Sequence, residues 1–327
     1  MAETPKEASS EVVALRKRRP FLIDIMVRLV KTKPLGFMGF ILVMLMFLTG
    51  VFADQLSPYG WNEIMLQHRL APPSPELFLG ADNVGRDLLS RIIYGARISM
   101  FVSLGAQSIN LVVKLLLGIP SGYYGGTYDI ILQRFIDAFL CFPALVLYLT
   151  VMAVLGPGMW QVTVVLGVSG GIRGVRVVRS AVIAIRENMY FEAARAIGVP
   201  TNKILIRHVL PNIMSVVVIF LAAGMGTVIL AEASLSFLGF GIPPPYPSWG
   251  GMLSGAGRQF MMVAPWMMIW PGVALSGVVF GFQMLADALR DLLDPRLRGG
   301  LGRYGGKSQQ ELQEMAKKKS AEFKRKA

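Results

Sequence analysis

The chain carries two histidines, His68 and His208, and one cysteine, Cys141, and none of them has a carboxylate or another soft ligand at metal-binding spacing. No metal site is expected. Gly305-Gly306-Lys307-Ser308 has the ending of a phosphate-binding loop, but Leu301 stands where the required glycine would be and no apolar strand precedes it. The chain therefore has no nucleotide site of its own, and no nucleophile–base pair lies within its apolar stretches. What remains is the chemistry of recognition, in three places. Residues Glu192 to Pro211 form a polar helix-turn-helix between two long apolar stretches. Ala193, Ala194 and Ala196 give a helix of little bulk that a partner's groove can approach, Gly198-Val199-Pro200 is a helix stop, and Thr201 reads as the N-cap of a second short helix. Upstream, in the run Leu79 to Ser99, Leu88, Leu89, Ile92, Ile93 and Ala96 share one helical face, with Asp87 and Arg91 at i, i+4 on another. That pattern predicts an interfacial helix. Lys114 lies inside an apolar run, where it either snorkels to the nearer interface or faces a transport path as a cation that meets a carboxylate.

These groups must be held by membrane helices. Of 327 residues, 54% are hydrophobic and 16% charged, too apolar for an average soluble globule. About 20 helical residues cross a bilayer core, and six stretches qualify: roughly Leu35 to Ala53, Ile98 to Ile119, Phe135 to Leu155, Met159 to Val178, Asn212 to Glu232 and Trp266 to Leu285. The first begins too far into the chain, and is too long, for a cleaved signal. Cys141 reads as a small buried hydrophobe, and Gly167 with Gly171 and Gly277 with Gly281 offer small faces for close helix packing.

Lysine and arginine set the orientation. Residues 1–33 hold Lys6, Arg16, Lys17, Arg18, Arg19, Arg28, Lys31 and Lys33, residues 286–327 are richer still, and Arg179 to Pro211 carries Arg179, Arg186, Arg195, Lys203 and Arg207. Asp54 to Arg97 has only Arg69, Arg86, Arg91 and Arg97, and Ala233 to Pro265 only Arg258. Six spans with both termini cytoplasmic satisfy the positive-inside rule. That topology absorbs most of the net charge of +13, so nucleic acid is not an expected partner. The organisation is a basic N-terminal segment (1–33), a first span with an extracytoplasmic segment and interfacial helix (34–97), a core of five spans (98–290) with the loop 188–211, and a basic tail (291–327) that is either solvated or laid on anionic lipid.

The order E-A-A-x3-G in Glu192 to Gly198, followed by x-L-P ending at Leu210 and Pro211, resembles the cytoplasmic coupling loop of ABC importer permeases, with His208 where many members carry Ile. Leu79-Gly80-Ala81-Asp82-Asn83-Val84-Gly85-Arg86-Asp87, then Ser90, Arg91, Gly95, Arg97 and Ser99, is similar to the L-G-T-D-x-x-G-R-D motif of the C-type dipeptide and oligopeptide permeases, with Ala81 replacing Thr. Gly122 to Gly126 with Arg134, Asp137, Phe142 and Pro143, and Glu232 to Gly241 followed by Pro247-Ser248-Trp249-Gly250, extend the resemblance over nearly all of Arg28 to Arg298. It implies an all-α polytopic, type I importer permease with a cytoplasmic coupling helix. The implied setting is a prokaryotic inner membrane. Implied partners are a homologous permease, two cytoplasmic ATPase subunits that carry ATP and Mg, and an extracytoplasmic solute-binding protein. Glu192, Ala193, Ala194, Gly198, Leu210 and Pro211 would meet the ATPase. Gly80, Asp82, Gly85, Arg86, Asp87, Ser90 and Arg91 would form an outer-face element near the binding protein, or a purely structural one. Di- and oligopeptides are the implied solutes, with nickel and glutathione carriers in the same branch. A secondary transporter, the rival class, needs an internal repeat and mid-span carboxylates, neither of which is evident.

Overall fold

The structure, a computed structural model, describes residues 21–187, 191 and 196–293. Helix α1 (Phe21–Thr32) ends because Pro34 pushes Lys33 out of the helical region (φ −135°, ψ 71°), and the same proline opens α2 (Pro34–Val51). One face of α2 buries Gly36, Gly39, Val43, Met46 and Gly50, while Leu35, Met38, Ile41, Leu45 and Leu48 point outward. A helix that is apolar all round is a membrane helix, and its buried side marks its protein neighbour.

A short helix (Ala53–Leu56) and a long loop with a 3₁₀ turn (Leu66–His68) lead to α3 (Leu88–Tyr124). The interfacial helix and the second span are thus one element of 37 residues, about 55 Å long. Nothing between Leu88 and Ile119 breaks the ladder, and the chain turns only at Gly125 (φ +65°), a left-handed position that favours glycine.

The third predicted span is not one helix. Helix α4 (Gly126–Leu140) and α5 (Ala144–Leu155) meet at 87°, because Pro143 lacks the N–H a continuous helix needs and disfavours helical geometry at Phe142. Cys141 sits at this break and is exposed rather than buried. Helix α6 (Met159–Arg186) follows. Thr201 is not a cap: Pro200 holds the N-cap position, and the helix begun at Thr201–Ile204 runs through a π-helical turn (Leu205–Val209) into α7 (Leu210–Phe237). Pro211 withdraws the N–H that the Arg207 carbonyl would accept, and the ladder widens just before it. After short helices Trp249–Leu253 and Gly255–Gln259, α8 (Trp266–Leu293) closes the described chain.

Among the described residues five helices are long and apolar enough to cross a membrane, six if α4 and α5 count as one broken span. Small residues decide the packing. A Cβ on Gly167 would lie 2.7 Å from Ile109, and one on Gly171 2.5 Å from Val113, so α3 and α6 touch backbone to side chain. On the other flank a Cβ on Gly39 would stand 2.6 Å from the Gly281 carbonyl, joining α2 to α8, whereas Gly277 faces open space.

Candidate functional site

Functional groups gather at the two ends of the bundle. At one, residues 57–87 fold over the start of α3. Asp82 Oδ1 accepts the backbone N–H of Val84 and of Arg86 at 3.0 Å each, and Oδ2 accepts Arg86 Nε at 2.7 Å. Arg91 Nε stands 3.7 Å from the same carboxylate, and its Nη1 donates to the carbonyls of Trp61 and Pro245. Asp87 does not pair with Arg91. It caps α3, accepting Ser90 N–H at 2.7 Å and the Ser90 hydroxyl at 2.6 Å, and Ser90 Oγ in turn accepts the Tyr59 N–H. An N-cap carboxylate points back along the helix start, away from the i+4 side chain.

The two glycines of this motif are structural requirements. Gly80 (φ +82°) has Ala71 and the Trp266 ring 2.8 Å from where a Cβ would sit, and Gly85 (φ +84°) has the Met65 carbonyl at 1.9 Å. Trp266 Nε1 donates to the Ala81 carbonyl, Trp249 Nε1 to that of Ile92, and Trp61 stacks on Tyr246. The motif is therefore a clasp that binds the loop to α3, α8 and the segment after α7. Beside it lies a cavity of about 430 Å³ lined by Asp82, Arg86, Arg91, Ser236 and Tyr246. Arg97 ties α3 to the end of α2 through the Gly50 and Val51 carbonyls and to the short helix after it through Asp54 (2.8 Å), and this last bond holds the Asp54 carboxyl below the usual carboxylate range.

At the opposite, basic end Asp129 accepts a bidentate pair from Arg179, at 2.6 Å for both contacts, and Asp137 pairs with Arg176 and, at 3.5 Å, with Arg134. Arg134 and Asp137 are three residues apart on α4 and do pair, but the cross-helix Arg176 contact is what ties α4 to α6. Arg186 donates to the Tyr123 carbonyl, pinning the end of α3.

Glu192, Ala193 and Ala194 lie outside the described residues. The rest of their loop is anchored from below: Phe191, Ile204, Val209, Ile213 and Val217 pack with Tyr123, Val178 and Val182. Above this floor the surface is open. Ile197 is 80% exposed, Ile206 69%, and Lys203, Arg207 and Pro211 border a shallow depression. Gly198 has φ +75° with nothing within 4 Å of a Cβ, so its glycine is needed for conformation and not for space. Leu210, half-buried, starts α7.

Lys114 is 5% exposed. Its stem rests 3.3 Å from the Cβ position of Gly174, between α3 and α6, so it neither reaches a free interface nor faces an open path in this conformation. It belongs to a polar stripe on α3 (Ser99, Ser103, Gln107, Asn110, Lys114) buried against glycines: Gln107 meets Gly224 and Asn110 meets Gly170. The spacing of this stripe, four, four, three and four residues, is visible in the sequence as one helical face, but apart from Lys114 each residue is unremarkable alone. Arg173 was equally hidden as one more basic residue near a span end. It stands at the α4–α5 break, donating to the Phe142 carbonyl (3.1 Å) with its guanidinium 5.6 Å from the centre of the Phe139 ring.

The sequence matches a family of transport proteins, described as the binding-protein-dependent transport system inner membrane component, over residues 114–299. Similar proteins include the dipeptide transport system permease protein of Alkalihalophilus pseudofirmus, 38% identical over 82% of this chain and 88% of the relative. The oligopeptide transport system permease protein of Bacillus subtilis is 34% identical over 84% and 90%, and the glutathione transport system permease protein of Pectobacterium atrosepticum 37% over 78% and 85%.

Proposed function

We infer the function from one premise, that this chain belongs to the binding-protein-dependent transport system inner membrane components. It is a multi-pass inner-membrane permease subunit of a binding-protein-dependent ABC importer. Beyond that, the reading is ours. The solute is a di- or oligopeptide or a peptide-like molecule such as glutathione, in keeping with the names of the three relatives. The basic end faces the cytoplasm and the clasp faces outward, with both termini inside, in accord with the distribution of Lys and Arg. The complex holds a second, homologous permease, two ATPase subunits that bind ATP and Mg, and an external binding protein.

The observation that carries the mechanism is the loop 196–211: an exposed apolar and basic tip on a buried apolar floor, continuous by helix with α7. An ATPase groove that closes on ATP grips this tip together with Glu192, Ala193 and Ala194. The movement passes into α7 as a rigid element, and the spans exchange one opening for the other. The chain performs no bond chemistry; it converts movement of its partners into access for the solute. Lys114, in this scheme, meets solute only when α3 and α6 part.

The test is reconstitution of the assembled complex in vesicles with its cognate binding protein. Mass spectrometry of the ligand carried by that protein should find a peptide, and its uptake should require ATP. Uptake driven by an ion gradient without ATP would point instead to a secondary transporter.

A further inference from the structure

We propose that Arg173, at the α4–α5 break, is a carboxylate-binding station on the solute path; this rests on the peptide-importer reading above. Four observations converge on it. First, Arg173 is a cation within a predicted span, and among the described residues no carboxylate stands within 4 Å of it, although its neighbours Arg176, Arg179 and Arg134 each have an aspartate. An intramembrane charge without a counter-ion is costly and is retained where it has a task. Second, its guanidinium is held by neutral local partners, the Phe142 carbonyl, the Phe139 ring face and the Tyr148 hydroxyl, and its Nε–H has no acceptor. Arginine with donors to spare is suited to a carboxylate.

Third, the break lies at the surface of the subunit. Cys141, Phe142 (58% exposed) and Pro143 lie on the surface of the subunit at an 87° bend. A broken span with an unpaired cation beside it is tolerated in a membrane only against protein or beside water, so we place this face beside water. Fourth, Gly167 and Gly171 turn one face of α6 to α3, and Arg173 lies off that face, against the α4–α5 bend whose Cys141, Phe142 and Pro143 are exposed. No described carboxylate supplies the anion, and a solute passing this face can. Solutes of the relatives' kind, dipeptides, oligopeptides and glutathione, all carry a free α-carboxylate, and a site with one weakly held cation would bind and release it in passing.

The assembled complex in vesicles tests this in two ways. In a Cys141→Ser background, Arg173→Cys should react with a charged, water-soluble thiosulfonate reagent, and the rate should differ between the resting and the vanadate-trapped complex. No reaction in either state would overturn the proposal, since a path residue must meet water. With trialanine as the transported probe, Arg173→Gln should lower the maximal uptake rate about tenfold, while Arg173→Lys should restore most of it; copurification of the partner subunits should be unchanged in both. Loss of the partner permease in Arg173→Gln would assign the anion to that partner and overturn the proposal, as would unaltered uptake. A wild-type complex that carries no trialanine defeats the peptide reading, and the cysteine labelling still decides whether Arg173 lines the path.

Discussion

Replacing Gly198 by alanine isolates the conformational demand of the coupling loop from every steric effect. Its φ of +75° is a left-handed geometry, and a Cβ there would meet nothing within 4 Å. The cost is then backbone strain alone, about 1 kcal/mol, and more for Gly198→Val because branching narrows the choice further. Spread over a loop free to adopt another shape, 1 kcal/mol lowers the population of the native shape relative to alternatives about fivefold. If that shape fits the ATPase groove, binding-protein-stimulated ATP hydrolysis and uptake should fall together by up to about fivefold for alanine and further for valine, at equal amounts of assembled complex. Gly156 supplies the control. Its backbone (φ +82°, ψ 164°) is even less suited to a side chain, and it too has nothing within 4 Å, but it joins α5 to α6 at the clasp end. Gly156→Ala should cost stability and leave hydrolysis per mole of complex coupled to uptake. Wild-type coupling in both Gly198 variants would refute the assignment of this loop, and equal uncoupling by Gly156→Ala would trace the effect to general strain.

Four further outcomes follow from the geometry. Asp82→Asn removes the charge that neutralises Arg86 and Arg91 in a buried site and should destabilise the fold by about 3 kcal/mol, seen as a lower melting temperature of the purified complex, with Asp54→Asn, at an exposed pair, causing a much smaller change. Gly39→Leu drives a side chain into the Gly281 carbonyl and should separate α2 from α8, measured as loss of intact chain from the membrane fraction. Lys114→Met should selectively lower uptake of anionic peptides at unchanged assembly; uptake near wild type would show that the lysine only packs between α3 and α6. In a Cys141→Ser background, cysteines at Ser74 and Met262 should react with an impermeant reagent on intact cells and one at Lys203 only after permeabilisation; the reverse pattern would invert the topology.

The spans were legible in the sequence because lipid demands long apolar runs, and five of the six appear as continuous helices. The sixth failed at Pro143: composition reports how much apolar length is present, not whether its hydrogen bonds run unbroken. The motif Gly80 to Arg91 was legible as a unit, but Asp87 and Arg91, on one face by spacing, do not meet because Asp87 caps the helix, and Arg91 turns to Asp82 and to the carbonyls of Trp61 and Pro245, far off in the chain. In the sequence Arg173 is one basic residue among several, with Arg176 and Arg179 close by. Its isolation depends on Asp137 choosing Arg176, a choice made across two helices that spacing along one helix does not reveal.

The π-helical turn at Leu205–Val209 has a consequence for phase. A wider turn holds one more residue than an α-turn would, so every side chain beyond it is set back by about 100° around the axis. The faces that α7 offers to α3 and α8 are thus indexed against the loop by this one surplus residue, as a gear tooth indexes two wheels. Two demands that an ordinary helix would lock together, the orientation of the docking tip and the orientation of the span, become separately adjustable at a single turn.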